Sequence, residues 1–316
     1  MLVNSVNVML NKEIEKMKSE LVNTRSDAMV VMIVNRGSPN NDPNTCAPRE
    51  MDGRYGVVSS VSIKRKFRNL WEDKNNPVWK ELASMSGIAE EDYKSYGILE
   101  SFNRGFDCSD PLAAKNLLKE LIKSGPDNAL NQLVDARLFG CTFLDETGEK
   151  GEKIRMVKGG VVQIGHAKTI SPIETITQDI TRKVNSEDEK VNGGGMAPDG
   201  LKFINHAVFT WRVSVNPFLA ANSLTTKRDI ELFKATIPFI YSANESASRP
   251  AGSIIIRNIW WADHTNALGS FNAESLFDEL MPRKKNDPLS PSISTDEYEF
   301  PTYKGNSINI VDLMNK

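Results

Sequence analysis

Lys64, Arg65, Lys66 and Arg68 place four cations within five positions of "SIKRKFRN" (62–69). Cationic side chains at helical spacing can hold phosphate, because a positive ridge attracts a polyanion without reading its bases. The formal net charge is only −2, so a nucleic-acid surface on this chain has to be a local stripe and not a global field. The ordinary alternative for such a run is a solvated helix face. Other reactive residues are sparse. His166, His206 and His264 lie on separate segments without ligand spacing, which reads as polar or packed histidine and not as a metal triad. Cys46, Cys108 and Cys141 form no Cys-x-x-Cys pair and read as reduced thiols of a cytoplasmic protein. Gly193-Gly194-Gly195 lacks the spacing of a phosphate-cradling loop and reads as a flexible tip. No metal, no cofactor and no catalytic residue is expected.

The elements that must carry the cationic run follow from periodicity. With 316 residues, 40% of them hydrophobic, the chain can bury a sizeable core. Leu10, Ile14, Met17 and Leu21 give an amphipathic helix in an N-terminal extension, residues 1–26. "AMVVMIV" (28–34) reads as a buried strand, too short to span a membrane. The loop after it, "NRGSPNNDPNTCAPREMDGRYG", is long and dense in Gly, Pro, Asn and Asp, as functional loops are. Ser59, Ser60 or Ser62 then caps a helix with Ile63, Phe67, Leu70 and Trp71 on its apolar side. On that helix Lys64 and Arg68 sit one turn apart beside the stripe, Arg65 points away, and Lys66 is less clearly aligned.

Residues 72–133 read as a helical insertion. "DARLFGCTFLD" and "IRMVKGGVVQIGHA" are strand-like around a turn-rich linker and suggest a hairpin. The polar "NSEDEKVNGGGMAPDG" reads as an exposed protrusion. From Phe203 the chain alternates, with Phe209, Trp211, Val213 and Val215 on one face and Thr210, Arg212 and Ser214 on the other. A Thr-capped helix with Ile230, Phe233 and Ile237, the strand "GSIIIRNIWWADH" and a short helix follow. Trp211, Trp260 and Trp261 are expected in the core, and residues 281–316 read as a surface tail. The order is that of an α+β domain over 27–280, an elaborated βαββαβ of ferredoxin-like or RRM-like plan.

At this point the residues resemble a known family. "SPNNDPNTCAPREMDGRYGVVSSVSIKRKFRN" is similar to the signature of the CRISPR-associated backbone subunit of type I Cascade complexes, in which an Asn-Pro-Asn-Gly-Asp-Pro loop leads into Lys-Arg-Lys-Ile-Arg-Asn. "DARLFG", "KGGVVQIGHAKTISPI", "ITRK", "SASRPAGS" and "HTNALGSFNAESLFDEL" follow in the family's order, from about Asp27 to about Leu280. C-type and B-type Cascades are the nearest subtypes. Three positions depart from the pattern: Asn41 stands for a Gly, Lys158-Gly159-Gly160 for Arg-Gly-Pro, and Ser60 for an Asp.

The resemblance implies an RRM-like palm, helical fingers and a hairpin thumb at about 169–200. It implies a subunit that lines up copies of itself along a CRISPR RNA beside other Cascade subunits, displaying the guide for pairing with target DNA in antiviral defence. Carried over by residue, it assigns phosphate contacts to Lys64, Arg65, Arg68 and Arg49 and loop contacts to Asn40 and Asn41. Lys158, Gln163 and His166 line the palm, and Arg182 and Lys183 belong to the thumb, with Ile176 and Met196 as wedges between bases. Two other readings stay open: a backbone endoribonuclease using Asp42, as in related type III effectors, and a stand-alone RRM-like RNA-binding protein. An aspartate before proline is commonly a turn former, which favours a non-catalytic subunit.

Overall fold

Ser26–Gly37 forms strand β1 and is buried along most of its length, which is why it reads as an unbroken apolar run. A computed structural model describes residues 20–104, 111–147, 152–178, 200–303 and 310–314. The N-terminal helix through Met17, the thumb residues Arg182, Lys183 and Met196, and Cys108 lie outside them. β1 pairs antiparallel with β9 (Leu201–Val215) on one side and β10 (Ile254–Asp263) on the other. Beyond β9 come β7 (Ala167–Thr169), β3 (Tyr55–Val58) and β2 (Glu50–Met51), and beyond β10 comes β13 (Ile310–Asp312). β6 (Val162–Ile164) and β8 (Thr175–Gln178) also pair with β9.

One face of this sheet is covered by α1 (Ser60–Glu72), α2 (Pro77–Met85) and α8 (Lys227–Thr236), the eighth α-helix among the described residues. Ser59 caps α1 by accepting from Ser62 N, and Thr226 with Asp229 forms a capping box on α8. The Phe67 ring of α1 stacks on Phe233 of α8 at 4.7 Å, and Trp71 donates its indole N–H to Thr236. Burying an apolar stripe on each helix against the sheet holds α1 in one orientation. Trp211, Trp260 and Trp261 are all buried, and β9 alternates in the expected sense.

The chain between α2 and β4 is helical: a 3₁₀ turn at Glu90–Tyr96, α3 (Leu99–Arg104), α4 (Pro111–Lys123), α5 (Pro126–Leu130) and α6 (Val134–Phe139). These helices share a second core with the hairpin β4 (Gly140–Thr147) and β5 (Glu152–Gly159), which forms its own two-stranded sheet. "DARLF" is therefore helix and not strand. All six residues of α6 are buried, so no polar face marks its period. Asp135 and Arg137 carry the reason for that burial: each is ion-paired to another element.

Residues beyond Leu280 are not a surface tail in the described region. Tyr298 packs with Met29, Val31, Trp260 and α9 (Ala273–Leu280) on the second face of the sheet. Its hydroxyl meets Ser171 at 2.7 Å and Ser292 at 3.0 Å. β13 completes the sheet against β10. At the expected thumb, β8 pairs Gln178 with Leu201 of β9, so the chain leaves the sheet and returns to it on adjacent strands.

Candidate nucleic-acid interface

α1 carries its cations on two sides of the buried stripe, and the structure treats them unequally. Arg68 donates from Nε to Asp135 at 2.8 Å and lies 3.4 Å from Glu100. Arg65 reaches the same Glu100 at 2.9 Å. Asp135 has a second donor in Leu99 N at 2.8 Å and is almost fully buried. Arg65 and Arg68 thus tie α1 to the helical insertion, and two carboxylates compensate their charge. Arg65 is expected to point away from the core; here it is half-buried against α3.

Lys64 remains without an acidic partner among the described residues. Its Nζ sits 5.4 Å from the Phe139 ring centroid, a ring Arg68 also overhangs at 5.5 Å. Burial first, and then the charge of Arg68, hold the Lys64 amine below its ordinary value. Lys66, the member whose orientation periodicity leaves undecided, is buried.

The loop after β1 is tied to itself. Asn40 O accepts from Arg49 N at 3.1 Å, and Asn41 bridges to Pro48 and accepts from the Ser38 hydroxyl. Asp42 accepts from Asn44 N at 2.8 Å and faces Arg49 at 3.8 Å, the work of a turn former. Among the described residues no cluster of His, Cys, Asp and Glu could hold a metal ion. Lys202, at the start of β9, donates to Thr45 O at 3.2 Å, which joins the loop to the β8–β9 stem.

Gln163 and His166 are exposed on the segment beside the start of α1. His166 accepts at Nδ1 from Ser60 N at 3.1 Å, and Gln163 donates to Gly160 O at 2.8 Å. Lys158 is directed elsewhere: its Nζ meets Asn222 at 3.1 Å and Asp127 at 3.3 Å, across the base of the hairpin. The structure thus brings Asn40, Asn41 and Arg49 together with Lys202, brings His166 to the start of the helix that carries Lys64, and sets Lys158 apart. Lys202 was missed by sequence reasoning because a single lysine at a strand start carries no pattern.

No helix among the described residues is long and apolar enough to cross a membrane. A family model described as "CRISPR-associated protein Cas7" matches residues 24–303. No curated protein matches the chain. Among solved structures, a chain of a "CRISPR RNA-guided surveillance complex, pre-nicking" is 16% identical, with 76% of each chain covered and a TM-score of 0.40. A chain of a "CRISPR RNA-guided surveillance complex" is 17% identical over 76% of this chain and 69% of that one, with a TM-score of 0.38. The family assignment rests on the sequence match and not on these two superpositions.

Proposed function

This chain belongs to the CRISPR-associated protein Cas7 family, and from that premise we infer that it is a CRISPR RNA-binding backbone subunit of a type I Cascade surveillance complex. The observation that carries the reading is the family match across residues 24–303, which takes in the cationic helix, the loop before it and the central sheet apart from β13. Copies line up along the guide beside other Cascade subunits, and the guide's bases pair with target DNA. A protein that holds phosphates and shape can carry any guide sequence, so specificity is left to base pairing.

The finer architecture belongs to the same proposal. The strand order β10-β1-β9, with β6 and β7 pairing next to β9, and α1 and α8 on one face, supports an RRM-like palm. Helices α2 to α5 serve as fingers, and the segment between β8 and β9 as a thumb. The subunit is proposed to have no catalytic step of its own, a reading supported by the turn-forming role of Asp42.

Sizing the purified protein together with its nucleic acid tests the proposal. The expected result is a large multimer carrying uniform short RNAs with repeat-derived ends, and an RNA-free monomer refutes it. Incubation of the assembly with complementary RNA and Mg²⁺ is expected to leave that RNA intact. Periodic cuts abolished by Asp42→Ala would establish the endoribonuclease instead.

A further inference from the structure

The apolar stripe Leu10, Ile14, Met17 and Leu21 has no part in the RNA-binding reading, and its last member stands where the described chain begins. Glu20 is helical, Leu21 bridges to Thr226, and Val22 donates to Thr225 O at 3.1 Å. Glu20 and Leu21 line a groove of about 690 Å³. Its other walls are the 3₁₀ turn that holds Tyr96, the short helix α7 (Ala220–Ser223) with Leu224 at its end, and the start of α8. Tyr96 belongs to the core beneath the sheet's covering helices, and Leu224 packs partly on the core of the helical insertion, so the groove lies on the seam between the two.

The groove does not call for a charged ligand. Arg137 reaches into it, but all three guanidinium nitrogens are engaged: Nε and Nη2 donate to Asp229 at 2.9 and 2.8 Å, and Nη1 donates to Ser95 O at 3.0 Å and Leu130 O at 2.8 Å. Beside this neutralised pair the groove presents carbon, in Leu21, the Tyr96 ring and Leu224. Leu224 has φ 59, a left-handed backbone that favours glycine. A leucine kept in that conformation points to a need for its side chain at this place.

The chain itself supplies a matching occupant. Met17 and Ile14 stand four and seven positions before Leu21, so a helix that runs into Leu21 puts all three on one side. At 1.5 Å per residue Ile14 is then about 10 Å from Leu21 along the axis, which keeps both side chains over the groove that Leu21 borders. The stripe's flanks carry both signs, Glu13 and Glu20 on one and Lys18 on the other, and so does the rim, where Arg228 meets Asp92 at 3.2 Å. We propose that the N-terminal segment docks as a helix in this groove of its own chain, with Ile14 and Met17 against Leu224 and Tyr96. Docked there, it straps the helical insertion to the helices that cover the sheet, whether or not RNA is bound.

The test uses nuclease-treated full-length protein. Met17→Cys combined with Ala221→Cys is treated with a short bismaleimide, and a product of monomer mass is expected, its bridge between positions 17 and 221 identified by peptide mass spectrometry. Ser19→Cys with Ala221→Cys, which places the thiol on the far side of the helix from the stripe, should link little. Ile14→Asp with Met17→Asp should undock the segment, lowering the melting temperature by about 5 °C and raising hydrogen exchange at residues 92–96 and 221–226. Lys12→Asp with Ser19→Asp, on the polar side, should change neither. Linkage at position 17 no greater than at position 19 overturns the proposal. So does a 17–221 bridge found only at dimer mass, which would put a second copy's segment in the groove, and so does unchanged exchange in the Ile14→Asp, Met17→Asp variant.

Discussion

Replacing Arg68 by alanine is expected to act on stability before it acts on RNA. The Asp135 side chain keeps 2% of its surface exposed, and its donors are Arg68 Nε and Leu99 N, each at 2.8 Å. Without Arg68 a buried carboxylate is left with one neutral donor and no ion-paired partner, Lys74 and Arg137 acting on it only through their charge. Breaking a buried pair in this way costs about 3–5 kcal/mol. Arg68 retains 15% of its own side-chain surface, which places the expected loss near the lower end, about 3 kcal/mol. For a chain of this size that corresponds to a melting temperature lower by roughly 5 °C. Urea titration of nuclease-treated Arg68→Ala should show the loss as a shift in midpoint at constant slope. Asp135→Asn introduced into Arg68→Met should cost less than in wild type, because the two residues share one interaction. A melting temperature within 1 °C of wild type, or costs that simply add, would refute this tie and return Arg68 to the phosphate surface.

Two further outcomes follow from buried groups away from α1. His206 is held between Ser292 Oγ at 2.8 Å and Thr295 Oγ1 at 3.2 Å, and burial lowers its affinity for a proton, with Glu297 opposing. A histidine that is harder to protonate when folded stabilises the fold above its unfolded value of about 6.5 and loses that contribution as pH falls through and below it. Wild type should therefore lose melting temperature between pH 7.5 and 5.5, with a shallower loss in His206→Gln; equal losses would contradict this. Gly160→Ala would place a Cβ 2.2 Å from Phe139 C and 2.3 Å from Gly140 N, where only backbone can yield. The expected cost is about 3 kcal/mol in urea titration, and a cost under about 0.5 kcal/mol would show that the junction between α6 and β4 is looser than described.

The central sheet and two of the helices that cover it, α1 and α8, were legible because each has a one-sided pattern. β9 alternates, α1 and α8 carry apolar stripes after a Ser or Thr cap, and β1 is an apolar run bounded by polar residues. α6 was misread because a short helix buried on every side has no period to reveal it, and "DARLF" then resembles a strand. The 281–303 segment looked like a tail for a different reason. Its Pro and Ser content signals irregular backbone correctly, but Tyr298, Ser292 and Lys284 are anchored by contacts with residues far away or within the segment that no local pattern encodes. The same holds for the site. Charge clustering located α1, yet which of its cations are already neutralised depends on Glu100 and Asp135, 35 and 67 residues further along the chain from Arg65 and Arg68 respectively.

The central claim is that this chain grips the RNA backbone and ignores its letters. Its most direct measurement is the affinity of the nuclease-treated protein for several single-stranded RNAs of equal length and unrelated sequence, each titrated over a range of salt. Equal affinities that fall together, with log affinity linear and steep in log salt, are predicted. Affinities that differ widely between sequences, or that barely respond to salt, would contradict it.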